Sequence, residues 1–177
     1  MTRHRIKTSS RWAGIAGVAV LVLVSTACGG GDDTRTVRAV DYRFENLPNS
    51  VKAGTKLQLT NASPAEVHEM VVVRLPDGER RSPDELINLP ESELRTPVAG
   101  EPAAVLLRPP GRADQINAVG DGRLTQKGRY LVFCAIPIAA DPAAYLQAAQ
   151  NAADGPPQVA GGPPHFTQGM YGEITVK

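Results

Sequence analysis

Short stretches of alternating apolar and polar residues, each cut off by glycine, proline or asparagine, run through most of this chain. Such segments are too brief for long amphipathic helices, and their period of two is that of a half-buried strand. In "VDYRF", Val40 to Phe44, apolar and polar residues alternate. In "NLPNSVKAGTKLQLTN", Pro48, Asn49 and Gly54 mark turns, and Leu57 and Leu59 alternate with Gln58 and Thr60. "EVHEMVVVRLPDG" places His68, Met70 and Val72 on one face and Val71 and Val73 on the other. Apolar residues on both faces predict a central strand of a sandwich. Further strands are expected in "AAVLLRPPG", "DQINAVGDG", "KGRYLVFC" and the closing "GMYGEITVK". There is no internal repeat.

Two segments break the pattern. Ser82, Pro83 and Glu85 form a capping box with proline at the first helical position, which predicts a helix over roughly 83–89. "LPESELRT" adds another turn. Asp141 and Pro142 read as an N-cap and first helical residue, and the alanine-rich "AAYLQAAQNAA" extends the helix over 142–153, with Gly155 ending it. Both helices are expected outside the core of the sandwich. The fold class is therefore all-β, a Greek-key β-sandwich with two short helical insertions.

The N-terminus carries an address. Arg3, Arg5, Lys7 and Arg11 accompany no acid, and Trp12 to Val24 is an unbroken run of apolar and small residues. A basic segment before an apolar run of this length is a secretory signal, and the run is short for a membrane span. The following "VSTACGGG" resembles the lipobox of bacterial lipoproteins, with serine at a position where leucine is commoner. That resemblance implies a lipid on Cys28 and cleavage before it. An ordinary signal peptide cut near Ala27 is the plainer alternative. The chain then divides into a leader over 1–27, a glycine-rich tether over 28–36 and one domain over 37–177. The expected location is extracytoplasmic, on the membrane through the lipid. Removing the leader's four basic residues from nineteen leaves fifteen against eighteen acids. With no basic run and no aromatic–basic interleaving, nucleic acid is not an expected partner. No Ser-His-Asp set or Walker-type phosphate loop points to an enzyme or a small-molecule substrate.

Beyond the leader and the anchor, the soft ligands number five: His68, His165, Cys134, Met70 and Met170. A lone buried cysteine is usually a small hydrophobe, and a histidine at a strand start is usually a satisfied polar residue. Together they supply two imidazoles, a thiolate and a thioether, the donor types of a blue-copper site. Met70 shares a face with His68 and reads as core packing, although it is also a competing thioether.

With these motifs the chain resembles the cupredoxins, the blue-copper family that includes plastocyanin. "VKAGTKLQLTNASPAEVHEM" is similar to the family's strand-turn-strand that ends in a histidine. "KGRYLVFCAIP" is similar to the strand that delivers its cysteine, and "HFTQGMYGEITV" to its second histidine, its methionine and its last strand. The resemblance implies one type 1 copper held by His68, Cys134, His165 and Met170, electron transfer without substrate turnover, and a redox protein as partner. Two other uses of the same chain stay open: a copper-handling protein with the same ligands, and a metal-free binding module. The sequence departs from the family at two points. Thirty residues separate Cys134 from His165, where plastocyanin-like proteins have a few. Closing so long a loop costs about 2 kcal/mol in chain entropy, reduced where the inserted helix closes its own ends and Pro156, Pro157, Pro163 and Pro164 stiffen the return. Glu69 stands where many cupredoxins have an asparagine that pins the ligand loops, and a carboxylate close to the site would lower the reduction potential.

Overall fold

The computed structural model describes residues 33–94, 97, 98, 100–152 and 156–177. The leader, Cys28 and Gly155 lie outside the described residues.

The strands, in chain order, are β1 (Thr34–Val40), β2 (Arg43–Glu45), β3 (Ser50–Val51), β4 (Thr55–Asn61), β5 (His68–Arg74), β6 (Ala104–Arg108), β7 (Ile116–Val119), β8 (Arg123–Leu124), β9 (Gly128–Phe133) and β10 (Tyr171–Val176). Helices α1 (Pro83–Ile87) and α2 (Glu91–Leu94) follow β5, and α3 (Pro142–Asn151) follows β9. The strands form two sheets, in the orders β2-β1-β4-β8 and β3-β10-β9-β5-β6-β7. Within the larger sheet, β9-β5-β6-β7 is the spatial order of a Greek key, with the fourth strand returning beside the first.

The interior follows from alternation. Val37, Ala39, Leu57, Leu59 and Leu124 of the smaller sheet meet Met70, Val72, Leu106, Tyr130, Val132, Ile174 and Val176 of the larger one in a single buried cluster. Each fully buried Val, Leu, Ile or Met contributes roughly 1.5–3 kcal/mol by leaving water. The reading of Met70 as a core residue holds, since it is fully buried in this cluster. On the other face of the central strand β5, Val73 is buried and pairs with Leu131, which packs with Leu75 against Leu86 of α1.

Three expectations need correction. "VDYRF" is not one strand: β1 ends at Val40 and β2 begins at Arg43, with Tyr42 at φ +62° in the turn between them. An alternating pattern cannot show that turn, because Tyr42 enters the left-handed region without a glycine. Residues 34–36, expected in the tether, belong to the sheet instead, since β1 pairs in parallel with β4 from Thr34 opposite Lys56, and Thr55 Oγ1 donates to Asp33. The helices form where expected, from Pro83 and Pro142, but they are not outside the core. α1 seats Leu86 under the larger sheet, and α3 places Tyr145 in the main cluster.

The caps are those read from the sequence. Ser82 Oγ accepts from Glu85 N–H, and Ser82 N–H donates to the Glu85 carboxylate at 2.7 Å. Asp141 Oδ1 accepts from Ala144 N–H at 2.7 Å. Each cap stabilises its helix by about 1 kcal/mol. No helix among the described residues is long and apolar enough to cross a membrane.

Candidate metal centre

One end of the larger sheet gathers the start of β5, the end of β9 and the start of β10, because β9 is antiparallel to both neighbours. Val71 and Tyr171 both pair with Phe133, so Cys134, one residue on, lies between the strand positions of Met70 and Met170. Cys134 N–H donates to the Met170 carbonyl at 3.1 Å, and Met170 N–H donates to the His165 carbonyl at 3.3 Å.

His68 reaches the same end through the β4–β5 turn. There Asn61 Nδ2 donates to the carbonyls of Glu66 and Arg108, and its Oδ1 accepts from Ser63 N–H. Ser63 Oγ in turn accepts from Glu66 N–H at 2.9 Å. These bonds fix the turn that delivers His68 as the first residue of β5.

His165 comes back across the thirty-residue insertion through a neck. Pro137 forms a β-bridge with Pro164, Ile138 N–H donates to the Pro163 carbonyl, and Gly162 N–H donates to the Ile138 carbonyl. His165 N–H then donates to the Ile136 carbonyl, and Phe166 N–H to the Cys134 carbonyl. Glycine is required at the neck: a Cβ on Gly161 would lie 2.6 Å from Pro137 Cβ and 2.9 Å from the Ile138 carbonyl oxygen. The insertion therefore closes on itself, and the ligand segment meets β9 as if the loop were short. His165 opens a short 3₁₀ turn, His165–Gln168, which ends at Gly169 with φ +105°.

The three side chains converge. His68 Nδ1 lies 3.2 Å from His165 Nδ1, and Cys134 Sγ lies 3.3 Å from His165 Nδ1. The possible ligand atoms of His68, Cys134 and His165 all fall within 4.8 Å of one another, and all three residues are fully buried. Two nitrogens bound near 2.0–2.1 Å to one ion at angles of 100–120° would stand roughly 3.1–3.6 Å apart, and a nitrogen and a sulfur roughly 3.3–3.8 Å. The His68–His165 and Cys134–His165 spacings fall in these ranges. Met170 is also fully buried.

The outer nitrogens point the other way. His165 Nε2 lies 3.4 Å from Glu66 Oε2, and His68 Nε2 lies 3.8 Å from Asp41 Oδ1. Neither nitrogen meets hydrogen-bond geometry, but each faces a carboxylate, which favours the tautomer with its proton on Nε2. The Nδ1 lone pairs are then free for the cluster. The Tyr42 ring stands edge-on to the His165 ring, with centroids 5.2 Å apart.

Burial sets the charges. Desolvation, reinforced by the neighbouring His165, lowers the His68 pKa to about 4, so the imidazole is neutral and able to ligate at neutral pH. Burial lowers that of His165 as well, opposed by the Glu66 carboxylate. Burial raises the Cys134 thiol, and the Glu69 carboxylate raises it further. A cation in the cluster reverses that preference, since a coordinating thiol is deprotonated outright.

Glu69 is itself buried, with a raised pKa caused first by desolvation. Its Oε1 accepts from Ala135 N–H at 3.1 Å, its Oε2 accepts from Tyr145 O–H at 2.8 Å, and its own N–H faces Cys134 Sγ at 3.5 Å. Sequence reasoning singled out Glu69 but missed Tyr145, Glu66, Asp41 and Tyr42. The carboxylates are ordinary surface residue types, and Tyr145 is one aromatic in an alanine-rich helix. No local pattern ties any of them to a site.

A scan of protein-family models finds no match, and a search of curated proteins finds none either. Among solved structures, the chain is similar to a dithionite-reduced auracyanin from Roseiflexus castenholzii at 20% identity, covering 84% of this chain and 99% of that one, with a TM-score of 0.43. It is similar to auracyanin A, a "blue" copper protein from Chloroflexus aurantiacus, at 14% identity, covering 81% and 98%, with a TM-score of 0.44. Auracyanin B follows at 17% identity, covering 81% and 88%, with a TM-score of 0.31. The sandwich and the cluster rest on the pairing and distances above.

Proposed function

We propose that this chain is an exported, lipid-anchored electron carrier of cupredoxin type, with one type 1 copper held by His68, Cys134, His165 and Met170. The observation that carries the reading is the buried convergence of two imidazole Nδ1 atoms and one thiol sulfur at the end of a β-sandwich. Bound copper would alternate between Cu(II) and Cu(I) and so supply a one-electron site with no substrate turned over.

The chain's own residues do the rest. Two neutral imidazoles and a thiol form a donor set suited in part to each oxidation state, so neither state demands a different arrangement. The sheet ends fix Cys134 between β5 and β10, and the neck at Pro137 and Pro164 fixes His165. Complete burial of the three side chains excludes water from the centre. Met170, whose backbone bonds to both Cys134 and His165, supplies the fourth donor in this reading. The redox partner is a protein met outside the cytoplasm.

An optical spectrum of the copper-loaded domain tests the reading. Intense visible absorption from a thiolate–copper bond is expected. Copper binding without that absorption would instead mark a copper-handling protein, and absence of binding a metal-free module. The anchor has its own test. Cys28→Ala is expected to release the protein from the membrane fraction. Retention equal to that of the parent, or a parent without lipid, would sink the lipobox reading.

A further inference from the structure

The insertion between Cys134 and His165 reaches back into the core. Tyr145 is the buried residue of α3, at 2% exposure, and its hydroxyl ends on the Glu69 carboxylate. Glu69 is the residue through which three parts of the molecule meet. It follows His68 in β5, its N–H faces the Cys134 sulfur, and its second carboxylate oxygen holds the Ala135 amide. We propose that Tyr145 is a positioning residue for the cysteine end of the centre, acting through Glu69, so that the helical insertion is part of the frame that holds the ligands.

A buried carboxylate oxygen without a partner is costly, and the group turns or draws in water to recover one. Among the described residues, Glu69 Oε2 accepts from Tyr145 O–H and Oε1 from Ala135 N–H. Removing the tyrosine hydroxyl frees one end of the carboxylate, and rotation about it disturbs the other. The Ala135 amide adjoins Cys134, so the disturbance arrives at the sulfur. A carboxylate of the β4–β5 turn grips the insertion as well: Glu66 accepts from Ala139 N–H at 3.2 Å while facing His165. The assignment of Cys134 as a ligand rests on the proposed function, whereas the bonding of Tyr145, Glu69 and Ala135 does not.

The test is Tyr145→Phe in the full domain, which keeps the ring and removes only the hydroxyl. In the metal-free protein, amide hydrogen exchange at Ala135 and Cys134 is expected to quicken by at least about tenfold relative to the amides of β9. Leu146→Ala, a packing loss on the same helix that removes no hydrogen bond of Glu69, serves as the comparison and is expected to leave those two amides in step with global stability. Glu69→Gln, which keeps an acceptor for Ala135 and offers an amide to the tyrosine oxygen, is expected to retain their protection. In the copper-loaded protein, Tyr145→Phe is expected to change the relative intensities of the thiolate–copper bands, and Leu146→Ala to preserve them. Tyr145→Phe and Leu146→Ala acting alike on Ala135 exchange would overturn the proposal and leave Tyr145 as packing alone. If the exchange result holds but the parent shows no thiolate–copper band, the copper reading fails and the positioning role stands.

Discussion

Replacing Cys134 with serine is expected to reduce the visible absorption of the copper-loaded protein to background while the domain stays folded. The thiol is fully buried at the end of β9, within 3.3 Å of His165 Nδ1 and 3.5 Å of the Glu69 amide. A serine hydroxyl at this position keeps both neighbours as hydrogen-bond partners, so the folding cost is expected to stay below about 2 kcal/mol. The loss of the sulfur is not compensated, because no other thiol lies among the described residues. Cu(I), the softer ion, is the state that loses most, and its affinity is expected to fall by more than about 100-fold, beyond the effect of losing an outer hydrogen-bond partner. Met170→Leu is the internal contrast. It conserves volume in the core at a cost below about 1.5 kcal/mol, and the thiolate band is expected to persist with a shifted potential. Titration of copper into both variants, with circular dichroism of each, checks the pair. A Cys134→Ser protein that still turns blue would remove the thiolate from the proposed centre.

Strand positions were legible because alternation reports which face is buried, and β4, β5, β9 and β10 each present an apolar face to one core. The donor set was legible because chemistry restricts it: thiol, imidazole and thioether are rare in this composition, so their number is itself informative. Distance along the chain hid the rest. The neck that lets His165 return depends on Pro137 meeting Pro164 and on Gly161 admitting the approach, and neither residue betrays its partner in sequence. Glu69 was visible as a departure from the asparagine of the resembled family. Its bonds to Ala135 and Tyr145, sixty-six and seventy-six positions away, were not. The turn at Tyr42 was hidden for another reason, since an alternating pattern cannot distinguish a strand from a strand interrupted by one left-handed residue.

Deleting residues 141–156 and bridging the gap with a short glycine linker is expected to cost much more than an insertion outside the core would. Two losses coincide. Tyr145 leaves the main cluster, where it is 2% exposed, and removing a buried large aromatic side chain costs about 3–5 kcal/mol. Glu69 Oε2 loses its hydrogen-bond donor inside the protein, an added penalty of about 1–3 kcal/mol. A domain of this size is stable by about 5–15 kcal/mol, so the deletion removes a large share of the total. The unfolding midpoint is expected to drop by more than about 10 °C, with a broadened transition where the margin is small. Entropy works in the opposite direction, because a shorter loop is easier to close, but the gain is only about 0.6 kcal/mol for a halving of the length. The neck from Pro137 to Pro164 is retained in the deletion, so the measurement isolates the helix from the loop closure. Thermal unfolding of the metal-free protein reads the outcome directly. A midpoint within about 3 °C of the parent would mean that α3 is a passenger, and that Glu69 finds its partners without it.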